Sequence, residues 1–108
     1  MKLWLDDVRP PPDESWHWAK TLEIAFIEMS CNGPNLELIS FDHDLGTNAK
    51  GETLDSMAVA KLLESLAYQR VGKRIPWQIH SANPVGRKNL QAALESADRY
   101  WHQWENMK

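Results

Sequence analysis

Three polar clusters hold the residue types that could do chemistry: Asp6-Asp7, Asp42-His43-Asp44 and His80-Ser81-Ala82-Asn83. Each follows a short apolar run that reads as a β-strand. Four carboxylates and two imidazoles gathered in one place are costly to desolvate unless a cation or a substrate compensates them. Carboxylate oxygens suit magnesium or manganese, which keep several waters and accept oxygen from phosphates; added imidazoles widen the choice towards zinc or nickel. Asp6, Asp7 and Asp42 are therefore the candidate metal ligands, with Asp44 as a fourth that serves either the metal or its own loop. His43 and His80, beside Asp42, are the candidates for moving protons, because an imidazole of ordinary pKa, ~6.5, works near neutral pH.

Around these groups stand residues suited to an anion. Asn83-Pro84 is a strong helix start, and Asn83 is expected to cap that helix whatever else it does. The backbone amides near Val85 and Gly86 then offer a seat for a phosphate, Gly86 permits close approach, and Arg87 and Lys88 add charge one turn in. Ser81 supplies a hydroxyl. Arg9 either pairs with Asp6 or Asp7 or clamps a phosphate bidentately. His17, between two tryptophans, reads as a surface residue, and His102 lies far along the chain from the motifs.

The elements that must position these groups alternate. Lys2 to Asp6 reads as a first strand and Trp16 to Lys20 as a short second one, separated by a stiff loop containing Pro10, Pro11 and Pro12. Thr21 caps a helix whose apolar residues Leu22, Ala25, Phe26 and Met29 recur at helical spacing, and Asn32-Gly33-Pro34 ends it. Leu36 to Asp42 is a near-continuous apolar run, as in a strand covered on both faces. His43 to Glu52 reads as a loop, with Thr53 capping the next helix. Ile75 to His80 is the last strand, and Pro76 suggests that it lies at a sheet edge. The final helix carries a stripe of Leu90, Ala93, Leu94, Ala97, Trp101 and Trp104, and burial of Tyr100, Trp101 and Trp104 against the sheet is favoured over a dimer contact. Such alternation implies parallel strands joined by right-handed crossovers, whose carboxyl ends share one rim where ligands bind.

The bulk properties narrow the class. At 108 residues the chain has the size of one domain, and 43% hydrophobic with 25% charged residues is ordinary globular composition. A formal net charge of −3 excludes wrapping of duplex DNA by bulk electrostatics. The single cysteine, Cys31, excludes an internal disulfide, fits a reducing compartment and is expected to be a small buried residue. No stretch is long enough for a signal peptide or a membrane span, which reads as a cytoplasmic protein. The six tryptophans are unusual at this length, and core packing accounts for them most simply.

With LWLDDVRP at the start, SFDHDLG in the middle and HSANPVGRKN near the end, the chain resembles the response-regulator receiver fold, and most closely its small cyclic-phosphate processing branch. The resemblance covers nearly the whole chain. It implies a three-layer, flavodoxin-like α/β fold, one domain over residues 1–108, with a short parallel sheet of about four strands. The first helix is replaced by the proline loop and the fifth strand is absent. Asp6 and Asp7 match the acidic pair that holds magnesium in receivers, Asp42 matches the phospho-acceptor, and Ser81 falls near the small hydroxyl residue after the fourth strand. The lysine that receivers carry on a fifth strand has no counterpart, so phosphorelay through Asp42 is the weakest of three readings. The first is a metal-dependent phosphoesterase acting on a cyclic phosphate, either a nucleotide or an RNA 2′,3′-cyclic end. The second is a module that binds such a nucleotide without turnover. The expected partner is a phosphate-bearing small molecule or an RNA end, with no duplex DNA and no membrane, and the chain acts as a monomer or weak homodimer.

Overall fold

The computed structural model describes residues 1–107. Four strands, β1 (Lys2–Leu5), β2 (Trp16–Ala19), β3 (Leu38–Phe41) and β6 (Trp77–Ile79), form one sheet in the order β2-β1-β3-β6, and every pairing is parallel. This is the start of the flavodoxin-like order, with the switch of direction between β1 and β3. β6 is an edge strand, in keeping with Pro76 just before it.

Three helices follow strands: α1 (Leu22–Asn32), α2 (Met57–Gln69) and α3 (Pro84–Asn106). Thr21 caps α1 by accepting from the Ile24 amide at 3.1 Å, and a short 3-10 turn through Gly33–Asn35 ends it. All three helices contribute to one core: Leu3, Leu5, Ala19, Ile39 and Phe41 of the sheet pack with Ala25, Val59, Ala60, Leu63, Leu90 and Leu94. These strand residues alternate, so they belong to one face of the sheet. The opposite face carries Lys2, Trp4, Trp16, Trp18, Ser40 and Gln78, and the chain that lies over it is the proline loop. Trp4 Nε1 donates to the Arg9 carbonyl at 2.9 Å. The third layer of the expected fold is thus this loop and not a helix.

Two expectations are corrected between residues 43 and 56. The segment is not a plain loop: β4 (Asp44–Thr47) and β5 (Thr53–Asp55) form an antiparallel hairpin. Thr53 lies in β5 and does not cap α2. Instead the Asp55 carboxylate accepts from the Met57 amide at 2.9 Å. Ser56, fully buried, donates its hydroxyl to the Asp42 carbonyl at 2.6 Å and its amide to the His43 carbonyl at 2.8 Å. The start of α2 is tied in this way to the end of β3.

Two smaller corrections concern side chains. Cys31 is exposed, because it falls on the outer side of the last turn of α1. Tyr100, Trp101 and Trp104 are half-buried, and the packing of Tyr100 and Trp104 is against α2 and not the sheet. Trp104 Nε1 donates to the Ala67 carbonyl at 2.7 Å, and Tyr100 meets Tyr68 edge to face. Among the described residues no helix is long and apolar enough to cross a membrane.

Candidate metal and phosphate site

Because the four main strands are parallel, their carboxyl ends place Asp6, Asp7, Asp42 and His80 along one rim. Asp42 is fixed beside β1 by its amide, which donates to the Leu5 carbonyl at 2.8 Å, and the His80 amide donates to the Phe41 carbonyl at 2.9 Å. The result is a group of three carboxylates, Asp6, Asp7 and Asp42, each offering an oxygen within 4.8 Å of the others. No lysine or arginine forms an ion pair with any of them among the described residues. Burial pushes the Asp42 carboxyl above the usual carboxylate range, and the Asp6 charge adds to this, against a hydrogen bond from Ser81 that favours the ionised form. Three hard oxygen donors with uncompensated charge fit a divalent cation such as magnesium or manganese. Asp44 is outside this group. It is more than half exposed and bonds to its neighbour His43.

Asp6 is 1% exposed and both its oxygens are engaged. Oδ1 accepts from the amides of Val8 and Arg9 at 2.9 and 2.8 Å, which turns the chain into the proline loop. Oδ2 meets His80 Nε2 at 3.0 Å. The other nitrogen of His80, Nδ1, lies 2.7 Å from the Ser40 hydroxyl, which accepts from Gln78 Nε2 at 3.0 Å. With Gln78 donating, the hydroxyl proton is free to go to Nδ1, and Nε2–H is left for Asp6. The neutral imidazole satisfies every atom of the chain Gln78–Ser40–His80–Asp6. Burial also lowers the His80 pKa, against the pull of the Asp6 carboxylate, in keeping with the neutral form. One face of the ring is covered by Trp4, stacked at 3.8 Å between centroids and 5° between planes. His80 therefore orients Asp6, and neither ring nitrogen is open to a substrate.

His43 is not one of the three grouped residues; it follows Asp42 in the chain and lies between two aspartates of the hairpin, Asp44 and Asp55. Nδ1 is 3.0 Å from Asp44 Oδ1, while Nε2 is 3.8 Å from Asp55 Oδ2, beyond hydrogen-bonding distance. The ring lies on the first turn of α3. A Cβ at Gly86 would fall 2.6 Å from His43 Cδ2 and Nδ1, so only glycine fits. The close approach that Gly86 permits is thus made by His43 and not by an anion. The Gly86 amide is also occupied, donating to the Asn83 cap at 3.0 Å. Gly46, at φ +73°, brings β4 near Asp7 in a backbone shape that disfavours a side chain.

The two arginines flank the end of β6. Arg9 reaches the His80 carbonyl at 3.3 Å and Arg87 reaches the Ser81 carbonyl at 3.4 Å. Both guanidiniums keep donors to spare and both side chains are exposed. Ser81 is buried, its hydroxyl accepting from the Asn83 amide at 3.2 Å while also serving Asp42. His17 pairs with Glu28 at 3.1 Å and His102 with Asn106 at 3.3 Å, both outside the site.

Sequence reasoning missed Ser40, Gln78, Trp4, Ser56 and Asp55 as supports of the site. A signal was present for Ser40: a lone hydroxyl in the apolar run LISF needs a buried partner. Two hollows stand out elsewhere, and neither includes a residue of the acidic group. One of them, of about 620 Å³, is apolar and lies at the amino ends of β3 and β6 between the helices.

The family model described as the cyclic-phosphate processing receiver domain matches residues 1–96. The match spans both acidic clusters, His80 and the start of α3. No curated protein and no solved structure matches the chain.

Proposed function

We propose, from the premise that the chain belongs to the cyclic-phosphate processing receiver family, that it is a metal-dependent phosphoesterase that opens a cyclic phosphate on a nucleotide or an RNA end. The observation that carries the reading is the Asp6–Asp7–Asp42 group, three carboxylates within 4.8 Å and no cationic side chain paired to them. Held by these three, a divalent ion would supply positive charge to the phosphoryl oxygens and make a water more acidic. The remaining work falls to the chain. His80, fixed by Ser40 and Trp4, holds Asp6 in one orientation, as a partner behind a metal ligand does. Arg9 and Arg87 present guanidinium donors on either side of the β6 end, where the charge on the phosphate builds.

His43 is the proton carrier in this reading. Asp44 orients its Nδ1 and leaves Nε2 unpaired. In the step itself, a water oxygen bonds to phosphorus and one of the two ring P–O bonds breaks. The water proton passes to His43 Nε2, and the same proton neutralises the departing alkoxide. Incubation with 2′,3′-cyclic nucleotides and magnesium, manganese or zinc tests the proposal. Product that disappears in His43→Ala and Asp42→Asn supports it. Tight binding without product in every metal replaces it with a nucleotide-binding module. One observation favours that second reading: both nitrogens of His80 are engaged, so one imidazole, not two, remains for proton transfer. Asp42 as a phospho-acceptor has less support, since among the described residues no strand follows β6 to carry a lysine.

A further inference from the structure

We infer that the helix-free face of the sheet is a base-binding platform, on which Trp16 and Trp18 of β2 stack the bases of a short single-stranded RNA whose cyclic phosphate end reaches the acidic group. This rests on the phosphoesterase reading above for the phosphate end alone. Four parallel strands carry helices on one side only, so the other side is left to side chains and the proline loop. Trp16 and Trp18 are half-buried on that side, beyond the part of the face where Trp4 stacks on His80. Trp16 meets Trp4 edge to face at 5.4 Å and 71°, which holds its ring upright. Trp18 is locked to the site itself: its Nε1 donates to the backbone carbonyl of Asp6 at 2.7 Å.

What covers the two rings indicates their occupant. Lys2 Nζ sits 4.6 Å from the Trp16 ring centroid and Lys20 Nζ 4.2 Å from that of Trp18. Lys20 is exposed and Lys2 half-buried, and a lysine held on a ring near solvent is a weaker contact than a stacked base. A base can therefore displace the ammonium, which is then free to meet the adjoining phosphate. Aromatic faces beside cations on the part of a four-stranded sheet that carries no helix are elements of single-strand recognition. Asp13 and Glu14 on the flanking loop keep the attraction local, so the platform takes a few nucleotides and not a duplex, whose bases are already stacked and paired.

The test compares two substrates and two variants. The full chain with manganese is given a trinucleotide ending in a 2′,3′-cyclic phosphate and, separately, glycerol 1,2-cyclic phosphate, which has no base. The platform predicts kcat/KM for the trinucleotide above that for the base-free substrate by about tenfold to a hundredfold. Trp18→Leu, which keeps an apolar side chain, collapses that ratio. Equal rates for the two substrates, with the ratio unmoved in Trp18→Leu, overturn the platform and leave the phosphoesterase reading standing. If neither substrate turns over, binding of a fluorescent five-nucleotide RNA to the metal-free protein decides the platform alone. The expected result is a loss of about tenfold in Trp18→Leu. In Lys20→Ala the salt dependence of log K should fall by about 0.7. Unchanged RNA binding in both variants overturns the inference, as does a shift from dimer to monomer in Trp18→Leu with RNA affinity intact, which would assign the face to a second copy of this chain.

Discussion

Replacing Asp42 by asparagine should make the metal-free protein more stable and its metal response weaker. The Asp6, Asp7 and Asp42 oxygens lie within 4.8 Å of one another, with no paired cationic side chain. Two unit charges at that distance repel by about 0.9 kcal/mol at the permittivity of water and about 3.5 kcal/mol at an effective value of 20. Asp42 is partly exposed, so the lower part of that range applies, and removing its two repulsions gives about 1–2 kcal/mol. Asparagine keeps the shape and can still meet Ser81. For a chain of this size such a gain raises Tm by roughly 4–10 °C. With the ion at one hundred times its Kd, the wild type gains about 2.7 kcal/mol, and the variant loses most of this gain. The stability order of the two proteins therefore reverses between chelator and saturating manganese. Thermal unfolding followed by circular dichroism reads it directly. A variant less stable than wild type in chelator, or one with an undiminished response to manganese, would refute the argument that these carboxylates repel one another and await a cation.

Three other outcomes follow from the same geometry. Ser40→Ala leaves His80 Nδ1 short of a partner and should cost about 1–3 kcal/mol in urea unfolding, despite the small change in volume. Gly86→Ala forces the His43 ring off α3 and should cost about 1–3 kcal/mol, together with a change in the His43 ring resonances. The lowered pKa of His80 sets a pH dependence. The unfolded chain takes up a proton near pH ~6.5 while the folded one resists it, so stability falls as the pH drops from about 6.5 towards the folded value and then levels off. Unfolding at pH 7.5 and 5.5 should show that loss, and His80→Gln should reduce it. The raised pKa of Asp42 acts with the opposite sign at lower pH, giving stability below the ordinary carboxylate range that is lost as the pH rises through the folded value.

The sheet was legible because its signals are local. Apolar runs end in aspartate, proline punctuates β1 and β6, and Thr21 and Asn83 cap α1 and α3 in the expected manner. The acidic group was legible because parallel strands share a rim. The hairpin was hidden because its strands are short and Asp44, Leu45, Gly46 and Thr47 carry the glycine and polar residues of a loop. The functional split between the histidines was also beyond the sequence. His80 and His43 have similar neighbours in the chain. They differ in what crosses from elsewhere: Ser40, Trp4 and Asp6 enclose one, while Gly86 and Asp55 face the other. Gly86 shows the same limit, since a glycine at a helix start marks a close approach without saying which group approaches.

The most direct measurement is phosphorus NMR of a 2′,3′-cyclic nucleotide incubated with the protein. The expected result is that the cyclic resonance gives way to a monoester only when manganese or magnesium is present, and that Asp42→Asn and His43→Ala each abolish the conversion. A cyclic resonance that persists in every metal, or a monoester formed equally well by Asp42→Asn, would contradict it.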